Sequence, residues 1–158
     1  MPKRQLAAIP YVIQNGQPLV LLVTSRETRR WVVPKGWPEK GRGDADQAAR
    51  EAYEEAGVLG AVARTPIGSF RYSKRLKDGR DKPVAVDVHL LEVEEVLDDW
   101  PEADERERRW MTPAQAAMAV QEGALAALLL GLPVTMPRVQ RRKPSRASDA
   151  RNVAAPAR

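Results

Sequence analysis

The segment from Pro34 to Gly57 does most to restrict the folds open to this chain. Gly36, Pro38, Gly41 and Gly43 crowd into eight residues, and an Ala-rich stretch follows without a break. Such clustering marks a tight loop. Asp44 with Gln47 three residues on predicts a capping box opening a helix, and Gly57 stands where a helix-ending glycine belongs. Extended segments flank this unit. Residues 5–13 and 18–24 read as strands joined through Asn15-Gly16, a two-residue hairpin signal. Trp31-Val32-Val33 is a short apolar run stopped by Pro34. Beyond the helix come strand-like stretches at 58–73 and 83–93, the second entered through Asp78-Gly79, and another near Arg108–Met111. Thr112, Pro113 and Gln115 predict a second capping box and a helix to about Glu122; a short Ala/Leu helix at 124–130 ends at Gly131 and Pro133. Strands interrupted by one helix and closed by others predict an α+β domain, a mixed sheet covered by helices.

A chain of 158 residues suits one domain with an adequate core. It has no Cys, which excludes thiol catalysis, disulfide frameworks and Cys-containing zinc sites. Its single His, His89, excludes multi-His metal sites. Hydrolytic chemistry would have to use carboxylates, Lys, Arg, hydroxyls and hard cations. The net charge of +5 comes from the end of the chain: residues 138–158 hold seven basic residues against Asp149 alone. That segment has only two Val as sizeable apolar groups, so residues 137–158 are expected to form a solvated, disordered basic tail after a domain at 1–136. Contact of the tail with nucleic acid is the lesser alternative. The longest early apolar run, Pro18–Val23, is far short of the ~18–20 residues a membrane span needs. A cytoplasmic protein with no membrane partner is the expectation.

The predicted helix carries Arg50-Glu51-Ala52-Tyr53-Glu54-Glu55. Residues three and four apart share a helix face, so Glu51 lies beside Glu54 and Glu55. Three gathered carboxylates repel unless a positive charge lies among them. A divalent cation such as Mg²⁺, held by one or two carboxylates plus substrate phosphates, would supply it. The alternative is a solvated acidic face with Arg50 paired to Glu54.

From Pro34 the chain runs PKGWPEKGRGDADQAAREAYEEAGV, which resembles the Nudix box, a Gly-rich loop followed by an acidic helix. Arg30-Trp31, Val96-Leu97-Asp98-Asp99-Trp100 and Arg109-Trp110 are similar to the diphosphoinositol polyphosphate phosphohydrolase branch and its bacterial relatives. The resemblance implies an α/β/α sandwich and a metal-dependent pyrophosphohydrolase acting on diphosphate linkages. By position, Glu51 and Glu55 would hold Mg²⁺ or Mn²⁺, together with the main-chain carbonyl of Lys35. Glu54 would be the base or water-positioning group, and Arg50 would orient the carboxylates. The box departs from the family pattern at Arg42, where a Glu usually braces the loop against the helix arginine. Either Glu39 takes over as partner of Arg50, or the loop is held differently.

Dinucleoside polyphosphates or diphosphoinositol polyphosphates are the implied substrate class. ADP-ribose or another nucleoside diphosphate derivative, RNA 5′ ends, and a non-catalytic nucleotide- or RNA-binding module are the alternatives. Lys74, Arg75, Lys77, Arg80 and Lys82 crowd the hairpin around Asp78-Gly79, a reasonable phosphate clamp through charge-assisted bonds. Arg30 and Lys35 flank the loop, Gly36 and Trp37 lie within it, and Arg71 and Arg108 are further substrate-binding candidates. Alternation along 84–91 puts His89 on the less buried face of a strand. Trp31, Trp100 and Trp110 read as packing, and Glu105 and Glu107 as ion-pair partners of the adjacent arginines.

Overall fold

The computed structural model describes residues 3–132; the basic segment 137–158 and the boundary expected at residue 136 lie outside the described residues. Among the described residues one mixed eight-stranded sheet carries helices on both faces. Strands β1 (Lys3–Gln14) and β2 (Gln17–Thr24) form the expected antiparallel hairpin. Its turn places Asn15 and Gly16 at φ 52° and 78°, the left-handed pair that matches the strand twist. The short β3 (Trp31–Val32) and β4 (Lys35–Gly36) follow, then helix α1 (Asp44–Glu51), which continues as a π-helical turn over Ala52–Ala56. Strands β5 (Val58–Val62), β6 (Gly68–Arg75), β7 (Asp81–Val96) and β8 (Arg108–Met111) lead to α2 (Pro113–Ala119) and α3 (Gly123–Leu130).

The central strands run β3-β2-β1-β7-β5, with β4 beside β1, β6 beside β7 and β8 beside β2. The β1–β7 pair is parallel, from Lys3 opposite Val84 to Tyr11 opposite Glu92. Eight successive residues of β1 are buried, as a strand covered on both faces requires. On one face Leu6, Ala8, Leu21, Val23 and Leu91 pack against Ala48, Ala52 and Ala56 of the α1 segment. On the other, Ile9, Leu22, Val86 and Leu90 pack against Ala116, Leu125 and Leu129 of α2 and α3. The α/β/α sandwich follows from these two apolar layers.

Several local expectations are corrected. The stretch 58–73 is two strands, broken at 63–67, where Pro66 has no N–H to give a ladder. No capping box forms at Asp44: the N-cap is Gly43, Asp44 pairs with Arg4, and Gln47 turns its side chain inward. The Thr112–Gln115 box is present in full, with Thr112 Oγ1 accepting the Gln115 N–H and the Gln115 side chain accepting the Thr112 N–H. Helix α2 ends at Ala119, short of Glu122. His89 lies on a covered face and is only 1% exposed. The α1 layer shields its end of β7, and Nδ1 donates to the Ala63 carbonyl at 2.8 Å.

Candidate active site

Strand β4 pairs with β1 and so brings Gly36 beneath the helix. A Cβ at residue 36 would fall 2.3 Å from the Glu51 carboxyl group, so any other residue would push that carboxylate out of its place over β4. Glu51 and Glu55 are each 8% exposed, while Glu54 lies further out toward solvent. Each carboxylate has its own partner. Glu51 Oε2 accepts from Gln47 Nε2 at 2.8 Å. Glu54 Oε2 accepts from Arg50 Nε at 2.7 Å, one helical turn back. Glu55 Oε1 accepts the Lys35 main-chain N–H at 3.2 Å, and its Oε2 lies 3.4 Å from Arg106 Nη2.

Burial raises both inner carboxyls. Glu51 is pushed up by desolvation and, less strongly, by Glu54, against the Gln47 bond. Glu55 is pushed up to about 8, chiefly by desolvation, with Arg106 and Lys35 opposing and Glu51 adding to the rise. Two buried carboxyls that resist ionisation next to one another are a site that a cation would stabilise.

The helix end is held from outside. Gly57 adopts φ 69° as the C-terminal cap. Trp100 Nε1 donates to the Glu55 carbonyl at 3.0 Å. Arg108 donates to the carbonyls of Ala56 at 2.9 Å and Leu97 at 2.7 Å, with its guanidinium 3.9 Å from the Trp100 ring. Arg108, expected among the substrate-binding residues, is therefore committed to the carbonyls that end the helix.

A basic rim meets the carboxylates through β4. The Lys35 ammonium lies 5.0 Å over the Tyr72 ring, whose hydroxyl donates to Gln5 at 2.7 Å. Burial lowers the Lys35 pKa, Glu55 and Glu122 resist the fall, and Arg106 and Lys74 add to it. Burial likewise pushes the Tyr72 phenol up to about 12. Arg30 donates to Thr28 and to Gln121, the neighbour of Glu122. Lys35 thus lies over Tyr72, and Lys74 stands two residues on from Tyr72 on the same face of β6. Arg75 instead pairs with Asp81 at 2.8 Å, and Arg71 is exposed on the opposite face of β6 from Tyr72. Trp37 is 40% exposed beside Gly36.

Three residues escaped the sequence reading as parts of the site. Gln47, one turn before Glu51, was open to the i,i+4 rule but was assigned to a cap. Tyr72 and Arg106 carry no local signal, because strand pairing and a long loop bring them in. Arg106 donates to Glu102 at 2.7 Å and to the Thr24 carbonyl at 2.9 Å besides facing Glu55. Glu105 and Glu107 do form ion pairs, but with Arg26 and Arg29 rather than with the adjacent arginines. Arg42 pairs with Glu39, so Glu39 does not replace the missing brace to Arg50. A separate cleft of about 800 Å³, lined by Tyr11, Asp46, Arg64 and Glu92 among others, includes none of the three carboxylates.

Among the described residues no three His, Cys, Asp or Glu side chains are gathered as a metal cluster. The donor set nevertheless fits Mg²⁺. Two adjoining buried carboxylates, with Glu51 lying close over Gly36 where no side chain intervenes, suit an ion completed by water and phosphate oxygens.

A domain model described as NUDIX domain matches residues 3–129, and the chain belongs to that family. It is similar to "Nudix hydrolase 12, mitochondrial" of Arabidopsis thaliana, 37% identical over 100 residues that span 61% of this chain and 49% of that protein. It is also 31% identical over 121 residues to diphosphoinositol polyphosphate phosphohydrolase 2 of Rattus norvegicus, covering 75% of this chain and 63% of the relative. The chain thus spans about half to two thirds of these relatives' lengths. Among solved structures, the C. elegans Ap4A hydrolase binary complex shares the fold at a TM-score of 0.62 and 20% identity, over 85% of this chain and 98% of that one. Among the described residues no helix is long and apolar enough to cross a membrane.

Proposed function

We propose that this chain is a metal-dependent pyrophosphohydrolase that cleaves phosphoanhydride bonds in highly phosphorylated small molecules, such as dinucleoside polyphosphates or diphosphoinositol polyphosphates. The observation that carries the reading is the junction of two charge systems at β4. Glu51 and Glu55 lie buried with the Lys35 main-chain N–H bonded to Glu55, while the Lys35 ammonium lies over Tyr72, whose strand carries Lys74 on the same face. Glu51, Glu55 and the Lys35 carbonyl would hold Mg²⁺ or Mn²⁺. The ion, when bound, neutralises charge on phosphoryl oxygens and acidifies water. Lys35, Arg30 and Lys74 bind the phosphates and turn the scissile anhydride toward the helix. Glu54, pinned by Arg50, accepts the proton of the attacking water as a P–O bond forms and the bridging P–O bond breaks. Similarity to enzymes named for diphosphoinositol polyphosphates and for Ap4A supports a multiply charged substrate.

A substrate panel tests this reading. With Mg²⁺ or Mn²⁺, kcat/KM should be highest for diadenosine and diphosphoinositol polyphosphates, lower for ADP-ribose and for 5′-triphosphorylated RNA. Neutralising Arg30 and Lys74 together should raise KM most for the most highly charged compound. An equal rise for ADP-ribose would refute the clamp, and no turnover of any compound would refute hydrolysis.

A further inference from the structure

The departure of the box at Arg42 has a structural counterpart inside the helix. Arg42 Nη1 lies 2.8 Å from Glu39 Oε1 and 3.2 Å from Gln47 Oε1. A guanidinium can only donate, so the atom of Gln47 facing it must be the carbonyl oxygen. The amide nitrogen then faces Glu51 and donates to Oε2 at 2.8 Å. Gln47 is wholly buried, at 0% exposure. Flipping its amide would set nitrogen against guanidinium and oxygen against carboxylate, turning two attractions into two repulsions.

We propose that Glu39, Arg42 and Gln47 form a positioning relay for Glu51. The loop fixes Arg42, Arg42 fixes the Gln47 amide, and Gln47 fixes the carboxylate that lies over Gly36. Where the family pattern braces the loop to the helix arginine, this chain braces the loop to a metal-holding glutamate, and Arg50 is left to Glu54. With Oε2 tethered to the buried Gln47 amide, the Glu51 carboxylate has less side-chain freedom to lose when a cation arrives. The relay rests on the reading of Glu51 as a metal ligand given above.

Mn²⁺ binding tests the relay without turnover. Free Mn²⁺ is counted by electron paramagnetic resonance in the wild type, Gln47→Leu, Arg42→Met, Arg42→Lys, the Gln47→Leu/Arg42→Met double variant and Glu51→Gln. Melting by circular dichroism is followed in each. Gln47→Leu should raise the Mn²⁺ Kd roughly tenfold, the lower end for losing a group that orients a ligand. Arg42→Met should raise it about threefold through the same route, with Arg42→Lys within about twofold of wild type. The double variant should be no worse than Gln47→Leu, because both changes cut one chain. An Arg42→Met with wild-type affinity, or a double variant whose loss is the product of the two single losses, would overturn the relay. The Arg42 variants keep the test open if Gln47→Leu fails to fold, since Arg42 is at the surface. Glu51→Gln separates the two claims. If it abolishes binding while Arg42→Met and Gln47→Leu do not weaken it, only the relay fails. If it binds Mn²⁺ like wild type, the metal reading fails and takes the relay with it.

Discussion

Helix α2 begins with a cap it makes for itself, from Thr112 and Gln115. Helix α1 begins on Gly43 with no side-chain cap, passes through a π-helical turn, and ends on groups supplied by Trp100 and Arg108. The two also differ in what they bury. The layer formed by α2 and α3 covers the sheet with Ala and Leu, whereas α1 buries Gln47 and Glu51, and the turn after it buries Glu55. A self-capped apolar helix can be placed by its own segment. A helix that buries carboxylates needs partners from outside its own segment, and it obtains them from the preceding strand and loop through β4 and Arg42 and from further along the chain through Arg106 and Arg108.

This contrast should break first at Arg106. Its guanidinium is 8% exposed and serves Glu55, Glu102 and the Thr24 carbonyl. Arg106→Ala should cost about 3 kcal/mol in denaturant unfolding near neutral pH, the low end for stripping one partner from a buried pair, because Glu55 already holds a proton there and the loss falls on Glu102 and the Thr24 carbonyl. A loss below about 1 kcal/mol would place Arg106 among ordinary surface pairs. Gly57→Ala comes next. It forces a left-handed alanine whose Cβ would lie 2.6 Å from the Trp100 ring and 2.7 Å from Arg108. About 2 kcal/mol of stability should go, with a fall in kcat, since the displaced groups hold the carbonyls of the helix end.

A titration sharpens the same point. From the ordinary value of 4.5 up to about 8, the folded chain keeps a proton on Glu55 that the unfolded chain releases. Stability therefore falls as pH rises through that window. In a metal chelator, the melting temperature should drop by a few degrees between pH 6 and 8.5, and Glu55→Gln should remove that slope; an unchanged slope would assign it to another group. The smallest effect belongs to the opposite face. Thr112→Ala should cost about 1 kcal/mol and leave kcat/KM as it was. A loss of activity would mean that the two layers are coupled through the sheet.

The same division explains what could be read without coordinates. The Asn15-Gly16 hairpin and the Thr112 cap rest on residues at most a few positions apart, and each is present as expected. Of the three carboxylates expected on one helix face, Glu51 and Glu55 are buried while Glu54 turns outward to Arg50, because a π-helical turn follows Glu51. The Asp44 cap failed because Arg4, forty residues earlier, claims Asp44 and because Glu51 and Arg42 claim Gln47. His89 was misjudged because alternation along one strand does not show that a helix covers the second face. Arg108 reads as a phosphate ligand on charge alone, yet it donates to the carbonyls of Ala56 and Leu97 and stacks on Trp100. The basic hairpin is legible as a cluster; that Lys74 shares the face of Tyr72 while Arg75 pairs with Asp81 depends on strand alternation and register.

The central claim is that the buried carboxylate pair and Glu54 hydrolyse a phosphoanhydride. The most direct test is hydrolysis of diadenosine tetraphosphate in ¹⁸O-water with Mg²⁺, read by mass spectrometry for the wild type and for Glu54→Gln. The account predicts one ¹⁸O in a single phosphoryl product of the wild type. It predicts a rate lower by about 10²–10⁴ for Glu54→Gln, the range for losing a positioned general base, with an unchanged melting temperature. Wild-type turnover by Glu54→Gln, or products with no label, would contradict it.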